Sequence, residues 1–429
     1  MFQGLAQSEL RALGVSGLPM VTIEHPLGGE RSEGVTRRAR QAVDQIARLL
    51  SGAQVVAKGE SGRAEPASSS IRPPSIQTGL TDPATITPAT TTPDFITVTD
   101  SPEALLAAFC ERQWCDGLPI VPPTEDRVRA MLAGADRDRP LGVMPPLWRV
   151  ATLEKLAVNA VMAGCEPAAF PLIVAAVEAM LDPSFNLYGV QATTHSVAPL
   201  LIVHGPIAAE LGVHSGSGCF GPGFRANATI GRAIRLILLN VGGAWPGRHD
   251  MATQGSPAKF SYCIAERADS PWGPLHEDNV VTVFGGEPPH NVNDHVSTTA
   301  GGILATVADT AVSLGSNVGW YFSQSQLLIV LGPEHARTIA DDGLSRADVQ
   351  RFVFEHARLP LRTLKLGGMW GIHDWPRWMH AVTDDEALLP QVPSPEDVTV
   401  IVAGGPGKHS SVVPNCTFSR AVSRPVQPL

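Results

Sequence analysis

The sequence predicts an α/β fold made of two related α/β halves, an internal pseudo-twofold repeat, with a short N-terminal helix–strand–helix appendage. The halves follow from a recurring order: an apolar strand ending in Gly-Pro, a helix, then a β-branched strand followed by Gly-Gly and a histidine. The first copy runs from the strand at 200–204 to His290, and the second from the strand at 327–331 to His409. Equivalent loops of two such halves meet near their axis, so the two histidines form a candidate pair.

Composition and charge restrict the class of protein. The chain has 429 residues, 44% of them hydrophobic and 17% charged, with 41 glycines and 37 prolines, which is typical of a large, loop-rich α/β enzyme. A net charge of −9 argues against a nucleic-acid partner, because no basic surface would offset phosphate repulsion. No apolar run reaches about 18 residues, so no membrane span is expected. Scattered cysteines and the lack of a signal sequence predict a reduced, cytoplasmic protein.

The N-terminal part differs in pattern from the rest. Residues 1–52 predict a helix at 7–13, a strand at 19–23 and a second helix from Ser32 to Leu50. Residues 53–94 are rich in Ser, Thr, Pro and Gly, and such a segment cannot offset its ordering entropy by burial. We therefore expect a truncated appendage followed by a flexible linker.

Residues 95–429 form the predicted main α/β catalytic domain, with the two repeats at about 150–295 and 296–425. Ser345, with Asp348 in the following turn, is a typical helix start. Apolar periodicity predicts helices at 125–132, 153–163, 171–181, 226–241, 302–314 and 345–358.

The densest polar cluster of the chain is 290–295, which contains His290 and Asp294. With His409 they could act in acid/base chemistry or hold a divalent metal ion. No HExxH or paired CxxC motif supports a zinc site by spacing. The alternative is that Gly-Gly marks two tight strand exits and that Asn and Asp are ordinary turn formers.

A glycine-rich loop in the segment 215–227 leads into the helix predicted to start at Ala226. Gly221 and Gly223 let backbone N–H groups approach an anion, and Arg225 and Asn227 could bind it at the helix N-terminus. The alternative is a purely structural crossover. The spacing fits neither a Walker loop nor a dinucleotide fingerprint, so we expect no nucleotide cofactor.

Two further polar segments are candidates for the same site. Gln191, Thr194 and His195 precede the first core strand, with His195 either an acid/base group or a satisfied core histidine. Lys408 and Ser410 flank the second histidine in a glycine-rich turn that could build an oxyanion hole. Among the cysteines, Cys165 follows a helix C-terminus, where the helix dipole disfavours a thiolate. The spacing of Cys110 and Cys115 fits no common redox or zinc pattern.

Two parts of the chain resemble known families. Residues 1–52, mainly through 18–29, resemble the C-terminal half of a UGSC-type domain. That family is named for a motif of selenocysteine or cysteine followed by Gly-Ser-Cys, which is absent here, so its redox centre is not carried over. Residues 105–429 resemble a large, poorly characterised bacterial family that often accompanies UGSC-type proteins. The resembling stretches are 116–124, 159–165, 189–195, 220–232, 290–294 and 404–410. This resemblance implies one continuous domain but no reaction.

These observations predict an enzyme that acts on a small anionic metabolite by histidine acid/base chemistry, as a lyase, hydratase or isomerase. A divalent metal ion held by His290, Asp294 and His409 is a variant of this hypothesis. The competing hypothesis is a non-catalytic or redox partner subunit of a UGSC-type thiol or selenol protein. We expect a homo-oligomer without nucleic-acid or membrane partners.

Overall fold

The computed structural model describes residues 3–12, 14–15, 17–23, 32–50, 96–318, 324–366 and 381–429. The chain divides into two compact units, Met1–Ala89 and Thr90–Leu429. The predicted linker at 53–94 lies outside the described residues.

The first unit contains two of the three predicted appendage elements. Helix α1 spans Gln3–Ala12 and helix α2 spans Ser32–Leu50. The predicted strand at 19–23 is not found: these residues form no β-ladder in the described part of the chain. A strand requires a neighbouring strand to pair its backbone groups, and the apolar pattern alone does not supply one.

Mixed α/β structure, as predicted, makes up the second unit. Its strands are β1 (Pro140–Met144), β2 (Arg149–Thr152), β3 (Ala198–His204), β4 (Cys263–Ala265), β5 (Val280–Gly286), β6 (His290–Asn293), β7 (Leu327–Leu331), β8 (Arg358–Pro360), β9 (Leu388–Pro390), β10 (Val398–Val402), β11 (His409–Pro414) and β12 (Val422–Pro425). Two four-stranded sheets have the orders β12-β5-β3-β4 and β10-β7-β11-β6. The pairs β1–β2 and β8–β9 are small antiparallel ribbons.

The helices of this unit lie largely where periodicity predicts them. They are α3 (Pro102–Glu111), α4 (Glu125–Leu132), α5 (Leu153–Ala163), α6 (Phe170–Met180), α7 (Leu187–Ala192), α8 (Ile207–Glu210), α9 (Arg225–Ile237), α10 (Ala300–Thr310), α11 (Pro333–Asp341), α12 (Arg346–His356) and α13 (Leu361–Leu364). Ser345 and Asp348 form a reciprocal capping box at the start of α12.

The two sheets pack face to face between outer layers of helices. Leu200 and Ile202 of β3 share one core cluster with Leu328 and Val330 of β7, so these alternate residues fill the space between the sheets. The intervening residues of β3 face helices α5, α6 and α9, and those of β7 face α10, α11 and α12. Both faces of β3 and β7 are therefore apolar, which explains the unbroken hydrophobic runs of these two strands.

The predicted equivalence of the two halves is wrong in its details. It paired the strand at 280–286 with the strand at 398–402. However, β5 runs antiparallel to β3, whereas β10 runs parallel to β7. The two strands therefore occupy different places in their sheets. The direction of a strand depends on which distant strand it pairs with, and the spacing of Gly-Gly motifs carries no information about that pairing.

No single helix among the described residues is long and apolar enough to cross a membrane. One pair of helical segments, Pro167–Met180 and Pro183–Ala192, passes the same test of length and composition only when joined, with a bend of 71° between them. Most of α6, within that pair, is buried in the core beside the first sheet.

Candidate active site

A cavity of about 340 Å³ lies where two glycine-rich loops meet the ends of the second sheet. Its lining comes from 217–221, Asn291, Val330, Gly332, 403–407 and 409–411. The structure thus brings together the loop that contains Gly221 and the turn that precedes His409 and Ser410. A volume of this size suits a small metabolite.

Close backbone contact joins the two loops. The N–H of Gly404 donates to the carbonyl of Ser215 at 2.8 Å, and a Cβ on Gly405 would lie 1.7 Å from Ser217 Oγ. Glycine at 405 is therefore required for the loops to approach. The backbone N–H groups of Gly218 and Gly405, both in the lining, donate to no group in the described chain. They are available to a ligand.

Asn227, a predicted ligand-binding residue, instead shapes the loop from beneath. Its Oδ1 accepts from the N–H of His214 at 2.7 Å, and its Nδ2 donates to the carbonyls of His214 and Cys219 at 3.0 and 3.3 Å. The side chain is buried on the first turn of α9. It therefore acts as a positioning residue for the loop backbone.

His409 lines the cavity and is held by two side chains. Its Nδ1 lies 2.9 Å from Asn291 Oδ1, and its Nε2 lies 3.1 Å from His295 Nε2. The amide oxygen only accepts, so Nδ1 carries a proton and, in neutral His409, Nε2 is the acceptor. His295 is the partner that the sequence analysis missed, although it belongs to the polar cluster at 290–295.

His290 is not brought together with His409. In the antiparallel ladder of β6 and β11, His409 lies opposite Asn293, and His290 lies opposite Val412. Opposite residues share a face and successive residues alternate, so the odd step from His409 to Val412 puts the two histidines on opposite faces. His290 does not line the cavity.

Asp294 is committed to a turn. Its carboxylate accepts from the N–H groups of Val296 and Ser297 at 3.1 and 2.9 Å, and from Thr306 Oγ1 at 3.0 Å. These bonds, that from the Ser297 backbone first, lower the pKa of Asp294 to about 2. The carboxylate is thus neither a partner of His290 nor free for a metal. The described residues contain no group of three or more His, Cys, Asp or Glu side chains that could hold a metal ion.

Ser410 lines the cavity and contacts a buried histidine that the sequence analysis missed. Its Oγ accepts from the N–H of Gly332 at 3.0 Å and lies 2.8 Å from His335 Nδ1. The other ring nitrogen, Nε2, lies 3.0 Å from the carbonyl of Asp294, so it carries the proton. Ser410 therefore donates its hydroxyl proton to His335 Nδ1. Nothing local in the sequence marks His335, since it follows the Gly-Pro of an ordinary helix start.

Lys408 and Arg225 differ in their distance from this site. Lys408 Nζ lies 3.4 Å from the carbonyls of His295 and Ser297, at the edge of the histidine pair. Arg225 is directed elsewhere: it forms an ion pair with Glu166 at 2.6 Å and is two-thirds exposed. Gly223 does not line the cavity.

His195 belongs to a separate polar cluster. Its Nε2 lies 3.1 Å from Glu287 Oε1, which also accepts from Ser316 Oγ at 3.1 Å. Gln191 is buried beside the start of β3 and Thr194 is exposed. None of these residues lines the cavity that contains His409.

The cysteines of the second unit are of two kinds. Burial raises the pKa of the Cys219 thiol in the candidate site, and raises that of Cys165 to about 12. Both are therefore poor thiolates. Cys110 and Cys115, whose spacing fits no common motif, have their sulfur atoms 3.4 Å apart.

The N-terminal segment of the chain is similar to a known protein family. Residues 1–52 match the UGSC family. The match confirms the predicted resemblance of this segment to UGSC-type proteins. No curated protein and no solved structure is detectably similar to the chain. The function of the second unit must therefore be inferred from its own geometry.

Proposed function

We propose that the chain is an enzyme that acts on a small anionic metabolite by histidine acid/base chemistry, as a lyase, hydratase or isomerase. The supporting observation is the placement of His409 in a 340 Å³ cavity between two glycine-rich loops. In this proposal the pair His409 and His295 carries the proton, in place of the predicted pair His290 and His409.

The proposed role of each residue follows from the hydrogen-bond donors and acceptors around the cavity. The unpaired N–H groups of Gly218 and Gly405 bind the anionic group of the substrate, as in an oxyanion hole. His409 Nε2 accepts a proton from the substrate once the substrate displaces the exposed His295 from it, and Asn291 keeps Nδ1 protonated during this step. His295, in contact with the same Nε2, exchanges that proton with solvent because it is exposed.

Ser410 and His335 provide a second polar position in the proposed site. The hydroxyl accepts from Gly332 and donates to His335, which leaves one oxygen lone pair for a substrate donor. His335 and Ser410 are both buried. We assign His335 as the positioning residue for the Ser410 hydroxyl.

A metal-assisted version of the same reaction would use His409 and His295. Their Nε2 atoms are 3.1 Å apart. Two nitrogen ligands of one tetrahedral zinc ion lie about 3.3 Å apart, because each bond is about 2.0–2.1 Å long. In this version His409 and His295 would hold the ion, which would supply a Lewis acid beside the substrate. Metal content after purification, and its loss in His295→Gln, test this version.

The proposal is tested by proton exchange, which can be measured while the product is still unidentified. Purified protein is incubated in D2O with a panel of small hydroxy- and dicarboxylic acids, and carbon-bound deuterium is measured by mass spectrometry. His409→Gln should lose on the order of 10²–10⁴ in exchange rate. His290→Gln is the matched control, since this exposed histidine lies on the same strand pair but faces away. Equal loss in both variants, or no exchange with any acid, would reject the proposal.

The competing hypothesis, a partner subunit of a UGSC-type thiol or selenol protein, is supported by the family match of residues 1–52. It predicts that the isolated chain is inactive and binds a UGSC-type protein through these residues. Co-purification with and without residues 1–52 separates the two hypotheses.

We further propose an internal repeat with a different equivalence from the predicted one. In both sheets the succession of pairings is parallel, antiparallel, antiparallel, along β4-β3-β5-β12 and β10-β7-β11-β6. Gly205 after β3 and Gly332 after β7 each lie against the backbone at the start of β5 or β11. On this equivalence, β6 and β12 are exchanged between the two sheets.

A further inference from the structure

A second and larger cavity, of about 1030 Å³, lies in the Thr90–Leu429 unit and shares no lining residue with the candidate active site. It lies among α3, α4, β2, α5 and the π-helical turn Leu238–Gly242 that continues α9. Its size is at the upper end of the range for small-molecule sites.

The inner wall of this cavity is apolar. Phe109, Val128, Met162 and Leu239 are buried lining residues, and Trp114 meets Phe109 edge to face with ring centroids 5.6 Å apart. These side chains favour the hydrophobic body of a ligand, since burial of apolar surface contributes about 25 cal/mol per Å².

The rim of the cavity carries two arginines that have no carboxylate partner in the described chain. Arg149 and Arg248 both line it, and neither forms an ion pair with any described residue; Arg149 Nη1 donates to the carbonyl of Asn240 at 3.3 Å. Of the acidic lining residues, Glu125 is paired with Arg129 and Arg137, and Glu154 with Arg137. Asp100, the third, lies in the exposed part of the lining and forms no ion pair with a described residue. Two unpaired guanidinium groups favour a carboxylate, sulfonate or phosphate at the rim.

Two further lining residues present unused acceptors. Asn240 donates its Nδ2 to the Trp114 carbonyl at 2.8 Å and to Asn159 Oδ1 at 2.7 Å, while its buried Oδ1 has no partner in the described chain. The buried Nδ1 of His249 likewise has none. Burial lowers the pKa of His249, opposed by the Gly243 backbone, so the ring is neutral at pH 7 with Nδ1 as acceptor. A ligand that supplies an N–H or O–H donor would satisfy these atoms.

We propose that this cavity binds an organic anion with a hydrophobic body and at least one N–H or O–H donor. The anionic group contacts Arg149 and Arg248, the body contacts the apolar wall, and the donor reaches Asn240 or His249. The site is independent of the proposed acid/base reaction and does not require it to be correct.

Anilinonaphthalene sulfonate, which combines two ring systems, an N–H group and a sulfonate, is a suitable probe. Its uncharged counterpart is phenylnaphthylamine, which lacks only the sulfonate. Fluorescence titration of the full chain should give tighter binding of the anion than of the neutral dye. Replacing Arg149→Gln and Arg248→Gln together should weaken the anion on the order of tenfold and leave the neutral dye unchanged.

Two further variants fix the position of the dye. Leu105→Trp, at a half-buried wall residue, should weaken both dyes because it fills the cavity. Arg351→Gln, which removes an arginine paired with Asp348 on α12, should change neither. Equal affinity of the wild-type chain for the two dyes, or unchanged anion binding in the double arginine variant, overturns the proposal. Each variant is first shown to unfold cooperatively in urea.

Discussion

At the scale of single residues, chemical availability depends on the partners that each side chain already has. Asn227, Asp294 and Arg225 all have suitable groups, but loop backbone, turn backbone and Glu166 occupy them. Ser410 is held by Gly332 and His335 and keeps one oxygen lone pair, and His409 is held at Nδ1 by Asn291 while its Nε2 contacts the exposed His295. Residue type therefore names candidates, and existing hydrogen bonds select among them.

Cys110 and Cys115 should form a disulfide under mild oxidation. Their sulfur atoms are 3.4 Å apart, and Cys110 is exposed whereas the other five cysteines, Cys115 included, are buried. Oxidised glutathione should accept the two electrons: one thiolate displaces glutathione to give a mixed disulfide, and the second displaces another. Intact mass should fall by two hydrogens in the wild type and not in Cys110→Ser. Oxidation that proceeds equally in Cys110→Ser would contradict this pairing.

Asp294 should make stability depend on pH in acid. Its folded pKa of about 2 is below the ordinary value of 3.8, so its contribution is complete above about pH 4 and disappears as pH falls towards 2. Asp294→Asn should therefore lower the free energy of unfolding by roughly 1–2 kcal/mol at pH 7 and by much less near pH 2. Urea titrations at several pH values measure this. Asp309→Asn, at an exposed position of α10, is the control, and a loss independent of pH would argue against the ionised carboxylate.

At the scale of elements, the site depends on backbone segments that approach more closely than side chains permit. Gly332 follows β7 and lies beside the first residue of β11, and Gly405 lies against Ser217 of the other loop. These contacts position Ser410 and His409 relative to the loop backbone. The glycine-rich segments therefore allow these elements to approach closely, and they also supply backbone N–H donors.

Gly332→Ala should disrupt this junction. The new Cβ would lie 2.1 Å from the carbonyl oxygen of His409, so a strand would have to shift. We expect a loss of about 1–3 kcal/mol in unfolding free energy. Gly301→Ala in α10 is the matched control: nothing lies within 4 Å of its Cβ, so it should be neutral or stabilising by up to about 1 kcal/mol. Urea denaturation of both variants measures the two free energies of unfolding. Equal values would contradict the close contact between Gly332 and His409.

At the scale of the whole second unit, the two sheets depend on each other through their edge strands. β6 follows β5 along the chain but pairs with β11, and β12 follows β11 but pairs with β5. The shared core between the sheets adds apolar contacts. We therefore expect the sheets to unfold as one cooperative unit.

Removing β12 should destabilise both sheets. A chain ending at Ala421 loses the strand that covers β5 and exposes that edge. Its urea midpoint should fall for tryptophan fluorescence and circular dichroism alike. A chain ending at Val426 retains the strand, lacks only the exposed residues 427–429, and should resemble the full chain. Separate transitions for the two sheets in the shorter chain would show that they fold independently.

The sequence by itself determined the mixed α/β class, most helices of the second unit, the buried strands and the glycine-rich loops. These depend on local features such as periodicity, the capping residues Ser345 and Asp348, and unbroken apolar runs. Only the tertiary structure decided that His409 faces His295, that Ser410 meets His335, and that His290 points away. The physical reason is strand register: side chains alternate with a period of two, and the pairing of distant strands sets which face each one occupies.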